Sequence, residues 1–234
     1  MAWVAGINRC ELGWFVILRE IDSRRTAHRV IRSFGDIMTF PENSSVVATG
    51  CPIGLLDSAV PGGRECDQIA RALLGSARAS SVFPIPVRAA LSGRDYEEAC
   101  AINAASSPFH LRLARQTFGL FPMLREVDTF MTPERQKIIV EAHRELCFYE
   151  LNGAYPIQEA KKTRPGRDAR RRILADAKLI PPGDSARPEF ISIEEMLDTY
   201  AVCWTAERIA SGTAKRIPEK PRVDSKGLRM EMWR

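Results

Sequence analysis

The sequence predicts an α/β protein, a mixed β-sheet flanked by helices, formed as one domain over 1–234 with a helical insertion at about 56–135. Three observations predict it. Short β-branched and aromatic runs crowd the first fifty residues, helical stripes dominate from residue 65 onward, and one further strand-like run returns at 137–141. Strands and helices mixed in this order leave helices packed on a sheet.

Trp3-Val4-Ala5-Gly6-Ile7 and Trp14-Phe15-Val16-Ile17-Leu18 read as the first two strands, with Asn8 to Gly13 as the polar connection of a hairpin. Residues 27–34 alternate apolar and polar and read as a strand nearer an edge. A fourth strand, 45–49, runs into Gly50-Cys51-Pro52-Ile53-Gly54, where proline and glycine end it. Glu65 to Leu74 reads as a helix closed at Gly75, and Asp95-x-x-Glu98 opens a second in capping-box style. Ser80 to Val87, with Pro84 and Pro86, reads as an ordered loop, and Leu111 to Met131 as a long helix interrupted near Pro122. After the strand at 137–141 come a short helix through Glu150 and another opened by the basic run. The strongest helix, 193–211, carries Ile193, Met196, Leu197, Tyr200 and Trp204 as one buried stripe. The alternating tail, Gly227 to Trp233, reads as a last strand.

Composition excludes several classes. No segment approaches the roughly 20 consecutive apolar residues a membrane-spanning helix needs, so no membrane partner is expected. The first residues lack the basic and long apolar regions of a signal peptide, which gives a cytoplasmic expectation. The six cysteines contain no CxxC pair and the three histidines lie far apart, so a structural zinc site is not expected and free thiols are. The net charge of +5 is concentrated in 161–172, KKTRPGRDARRR, whose seven basic side chains face one acid. Lys161, Lys162, Arg164, Arg167, Arg170 and Arg171 are therefore candidates for contacting a nucleic acid or another phosphate-bearing ligand; the competing reading is a solvated helix start. On the first reading, alanine at Arg167, Arg170 and Arg171 weakens nucleic-acid binding while folding barely changes.

A series of short motifs narrows the answer. They are Val4-Ala5-Gly6-Ile7-Asn8 followed by Gly13-Trp14, then Pro52-Ile53-Gly54-Leu55, Arg64-x-Cys66-Asp67 and Ser81-Val82-Phe83-Pro84. Further on come Arg125-Glu126-Val127-Asp128, Glu141-x-His143, Lys161-Lys162-Thr163-Arg164-x-Gly166-Arg167, Leu197-Asp198 with Trp204-Thr205-Ala206, and Gly227-Leu228-Arg229-Met230-Glu231. In this order the chain resembles the family of predicted nucleases with a ribonuclease-H-like fold, known as domain of unknown function 429, over nearly its whole length. The resemblance implies a ribonuclease-H-like sheet, three antiparallel strands followed by parallel ones. It also implies a carboxylate cluster binding Mg²⁺ or Mn²⁺, since hard divalent cations take oxygen ligands and a metal pair activates water against a phosphodiester.

Two positions depart from the pattern that the resemblance implies. Asn8 stands where the first strand usually ends in aspartate, and Gly50 stands where an aspartate usually precedes Pro-Ile-Gly-Leu. Restoring both acids is expected to restore metal affinity. The remaining candidate acids are Glu141, ending the late strand, Glu145 one turn on, and Glu194, Glu195 and Asp198 on the last helix. Asp198, Glu141 and Glu145 are the candidate catalytic residues, and Asp198, Glu141 and Glu195 the candidate metal ligands. Ser192-x-x-Glu195 is also a capping box, which gives Glu195 a purely structural role. His143 reads as an acid, a phosphate contact or a structural histidine, and Asp57, Arg64 and Asp67 either line the same sheet end or form surface pairs. The tryptophans at 3, 14, 204 and 233 read as core. Three functions follow: a metal-dependent nuclease or phosphodiesterase with a partly eroded acidic site, a non-catalytic relative that binds nucleic acid or a protein, or an enzyme of another kind that reuses the cleft without metals. Oligomeric state is not encoded in any motif.

Overall fold

The computed structural model describes residues 2–234. Strand β1 (Trp3–Cys10) pairs antiparallel with β2 (Gly13–Glu20) along its whole length, from Trp3 against Glu20 to Cys10 against Gly13. Asn8 to Cys10 therefore belong to the strand, and the turn is only Glu11-Leu12. Continuing the ladder satisfies backbone groups that a longer loop would leave to solvent. β3 (Thr26–Ile31) pairs antiparallel with β2, while β4 (Val46–Thr49) lies parallel to β1 and β5 (Ile139–Glu141) parallel to β4. The order is β3-β2-β1-β4-β5.

Several expected boundaries move for local reasons. β3 stops at Ile31, because Ser33 and Asp36 form a capping box that opens a 3₁₀ turn at Phe34–Thr39. Another 3₁₀ turn, Arg135–Lys137, shortens β5 from its N-terminal side. Helix α1 (Glu65–Arg78) passes its expected end with a kink at Gly75, whose φ of 56° is open to glycine. Leu111 to Met131 is not one helix. After α2 (Tyr96–Ala105) the chain is irregular, then forms the single turn α3 (Arg115–Phe118) and α4 (Phe121–Phe130). Pro122 sits in the first turn of α4, where its missing N–H costs nothing. The tail pairs through β7 (Met232–Trp233), antiparallel to β6 (Arg216–Ile217), and through a single antiparallel bridge of Arg229 with Val223.

The two faces of the sheet follow from strand periodicity. Trp3, Ala5, Ile7 and Val47 face a core built with α2, α4 and Phe34. Val4, Phe15, Ile17, Ala48 and Val140 face α5 (Arg144–Leu151), α6 (Arg164–Asp176) and α7 (Ile193–Ala210). Gly6 lets α7 lie directly on β1: a Cβ there would stand 2.5 Å from the backbone nitrogen of Cys203 and 2.7 Å from the carbonyl of Thr199. Trp3 and Trp14 are buried, whereas Trp204 and Trp233 are half-buried. All six cysteines are buried free thiols. No helix among the described residues is long and apolar enough to cross a membrane.

Candidate functional site

Contact of α7 with Gly6 sets the helix start over the carboxyl ends of β1 and β4. The residues at 4, 6 and 8 share one face of β1, so Asn8 points at α7, and its Nδ2 donates to Thr199 Oγ1 at 3.2 Å. Its Oδ1 accepts from the backbone N–H of Gly50 at 3.1 Å. A Cβ on Gly50 would stand 2.1 Å from that same Oδ1, so the asparagine side chain fills the space a side chain at 50 would need. The two positions expected to lack acids are thus adjacent and occupied by one hydrogen-bonded amide.

Asp198, one residue before Thr199, is buried at the same strand ends. Its Oδ2 lies 2.9 Å from Lys161 Nζ and 3.5 Å from Arg144 Nε. Its Oδ1 is buried without a hydrogen-bond partner. Around this group opens a cleft of about 740 Å³. Its cations are Arg9, Arg144, Lys161 and Lys162, and Leu120, Pro122 and Met123 form an apolar lip.

The other expected acids are committed elsewhere. Glu141 is paired in register with Thr49, one residue out of step with Gly50, and therefore points to the opposite face of the sheet from Asn8. There it accepts two bonds from Arg64, both at 2.8 Å, and one from Ile53 N–H at 2.7 Å. Arg64 also bonds Asp67 and the carbonyls of Ile53 and Gly54. Burial disfavours the Arg64 charge, but Asp67 and Glu141 outweigh it and hold the guanidinium protonated. Glu145 accepts both oxygens' worth of bonds from Arg170, at 2.9 and 3.0 Å, and that pair too is buried. Glu195 closes the α7 capping box, accepting from Ser192 N–H at 2.8 Å. Glu194, also on the cleft, pairs with Arg167 at 3.1 Å.

A divalent-metal pair needs several oxygen donors converging on one point. Among the described residues no three His, Cys, Asp or Glu side chains converge in that way. The unpartnered Asp198 Oδ1 is one free donor, but the same carboxylate already pairs with both Lys161 and Arg144. The residues present do not fit a metal pair.

The basic run also divides. Thr163 caps α6 and starts it at Arg164. Arg170 is buried against Glu145, Arg167 is tied to Glu194, and Arg171 pairs with Asp184. Arg164 lies exposed beside Asp168, and Lys162 is exposed with no ion pair among the described residues. The expectation that Arg170 is an exposed contact, removable without effect on folding, is corrected by its burial. His143 lies at the head of α5, and burial, reinforced by Arg144, lowers its pKa to about 3, so the ring is neutral. Its Nε2 is 3.3 Å from the Ser81 carbonyl. Asp57 is exposed and accepts from Ser225.

Sequence reasoning missed Arg144 and Arg9. Arg144 follows the Glu141-x-His143 motif, at the junction where β5 hands over to a helix, and such junctions point at the carboxyl end of a sheet. Arg9 follows Asn8 near the hairpin tip and was hidden by assigning that stretch to a loop.

A five-stranded sheet in this order, antiparallel then parallel, with α7 laid across β1 and β4, is a ribonuclease-H-like architecture. Within that class, the chain belongs to the DUF429 family: the family model, described as a protein of unknown function, matches residues 6–223. No curated protein and no solved structure matches the chain.

Proposed function

We propose that this protein is a non-catalytic ribonuclease-H-like relative that binds nucleic acid through the cleft at the carboxyl ends of β1 and β4. One observation carries the proposal: the Lys161 ammonium lies 2.9 Å from Asp198, where a hydrolase of this architecture would need a metal ion. A tethered cation on the last free carboxylate, with Asn8 and Gly50 beside it, makes the cleft a site for anions. Phosphate groups are the anions a nucleic acid offers, and cationic side chains take them up with release of counterions.

The test measures binding of a labelled oligonucleotide in excess chelator and cleavage of the same strand with Mn²⁺. Binding that persists in chelator and weakens with salt, with no cleavage in Mn²⁺, is the expected result. Metal-dependent cleavage abolished by Asp198→Asn would overturn the proposal in favour of a phosphodiesterase. The unpartnered Oδ1 of Asp198 is the observation on the side of that second reading.

A further inference from the structure

The charges of the cleft specify more than an anion. Lys161 and Arg144, each about one-third exposed, share the single carboxylate of Asp198 and leave one positive charge in excess at the cleft floor. Glu194 is neutralised by Arg167, which does not line the cleft, so its charge subtracts nothing from the lining cations. Glu195 is held by the N-terminal backbone of α7. At the rim, Arg9 and Lys162 are exposed and form no ion pair among the described residues. Counting Arg9, Lys162 and the floor pair against Glu195 and Asp198 leaves an excess of two positive charges.

Shape points the same way. The floor is recessed, with the Asp198 side chain 7% exposed beneath its two cations. The phosphates of a duplex lie on the convex outside of a stiff rod and do not reach into a recess. A flexible single strand does, and its sugars and unstacked bases can rest on the apolar lip of Leu120, Pro122 and Met123. No tryptophan, tyrosine or phenylalanine lines the cleft, so base stacking adds little and phosphate contact dominates.

Resting on the reading of the cleft as an anion site, we infer that its ligand is a short stretch of single-stranded nucleic acid. Two neighbouring phosphodiesters neutralise the excess charge, one between Lys161 and Arg144 and the next toward Arg9 and Lys162. An acidic peptide offers the same charge sign, and competition by poly-glutamate separates it from a nucleic acid.

Fluorescence anisotropy tests this with a labelled single strand of about 12 nucleotides, the duplex made with its complement, and poly-glutamate as competitor. Two phosphate contacts on a single strand give a salt slope of about −1.4, so affinity falls about sevenfold from about 50 to about 200 mM salt. Lys161→Ala should bring the slope near −0.7. Arg9→Ala and Lys162→Ala should each weaken binding, and Lys162→Ala, at an exposed position without an ion pair among the described residues, should leave thermal unfolding unchanged, which keeps the test valid if Lys161→Ala unfolds. Single-strand binding at least tenfold tighter than duplex supports the inference. Equal or tighter duplex binding, or slopes unmoved by these variants, overturns it while leaving nucleic-acid binding itself standing. Binding of poly-glutamate with no oligonucleotide binding overturns both.

Discussion

Asn8 and Gly50 form a single unit, because the amide oxygen of one sits where the β-carbon of the other would be. Gly50→Ala forces Asn8 off its bonds to Gly50 N–H and Thr199. The expected cost is about 1–2 kcal/mol, from one or two displaced hydrogen bonds. In an Asn8→Ala background the same change should cost little, and a denaturant double-mutant cycle reads the coupling directly. Additive costs would mean that Asn8 does not hold that space. His143 gives a second residue-scale expectation. Its folded pKa of about 3 lies below the ordinary 6.5, so between those values the unfolded chain binds the proton and the folded chain does not. The stability of the neutral ring is complete above pH 6.5 and is lost as pH falls toward 3. Between pH 7 and 5 this amounts to at most about 2 kcal/mol, and urea unfolding of the natural protein and His143→Phe at both values should show the dependence shrinking in the variant. Neither coupling was legible in the sequence. Residue type and strand position placed Asn8 and Gly50 at neighbouring strand ends, but rotamers and burial depend on what the packed helices enclose.

At the scale of elements, α7 and α6 illustrate what the sequence did and did not reveal. The stripe of Ile193, Met196, Leu197, Tyr200 and Trp204 predicted α7; Met196, Leu197 and Tyr200 are buried, whereas Ile193 and Trp204 are only half-buried. How close the helix comes depends on Gly6, which in sequence is only a small residue within a strand. Gly6→Ala places a β-carbon against the backbone of α7, which cannot rotate away, and is expected to cost about 3 kcal/mol. Gly183→Ala, in open space at a φ of −60°, should be near neutral by the same thermal unfolding measurement. For α6 the basic run was plain in the sequence, but its division into buried and exposed charges was not, since each partner lies at long separation: Glu145 for Arg170, Glu194 for Arg167. Arg170→Ala leaves buried Glu145 with only the longer contact to Arg78, at 3.8 Å, and should destabilise by up to about 3 kcal/mol. Lys162→Ala should stay within about 0.5 kcal/mol. Reversal of that order in urea denaturation would remove the distinction between the two kinds of cation. Pro122 taught a smaller lesson, because a proline that breaks a helix interior is harmless in a first turn, and only the true start of α4 separates the cases.

Across the whole molecule, hydrophobic period located most strands and α7, while their arrangement in a ribonuclease-H-like sheet followed from the family resemblance that the motif order carries. The character of the site was not legible in this way, because it turns on which face each carboxylate takes. Glu141 ends a strand as expected, yet a one-residue difference in register from Gly50 turns it toward Arg64 on the far side of the sheet. Restoring aspartates at 8 and 50 is therefore expected not to suffice for metal affinity while Lys161 stays on Asp198, and Gly50→Asp first has to displace Asn8. Calorimetry with Mn²⁺ on the double variant, with and without Lys161→Ala, should show a gain only when the lysine is removed. On the proposed function, the Lys161 ammonium stands beside Asp198 in place of a metal ion. Anomalous diffraction from a crystal soaked in Mn²⁺ tests it most directly. The expected result is no manganese within bonding distance of Asp198 and Lys161 Nζ still on its carboxylate. A manganese ion bridging Asp198 and Asn8, with Lys161 swung away, would contradict it.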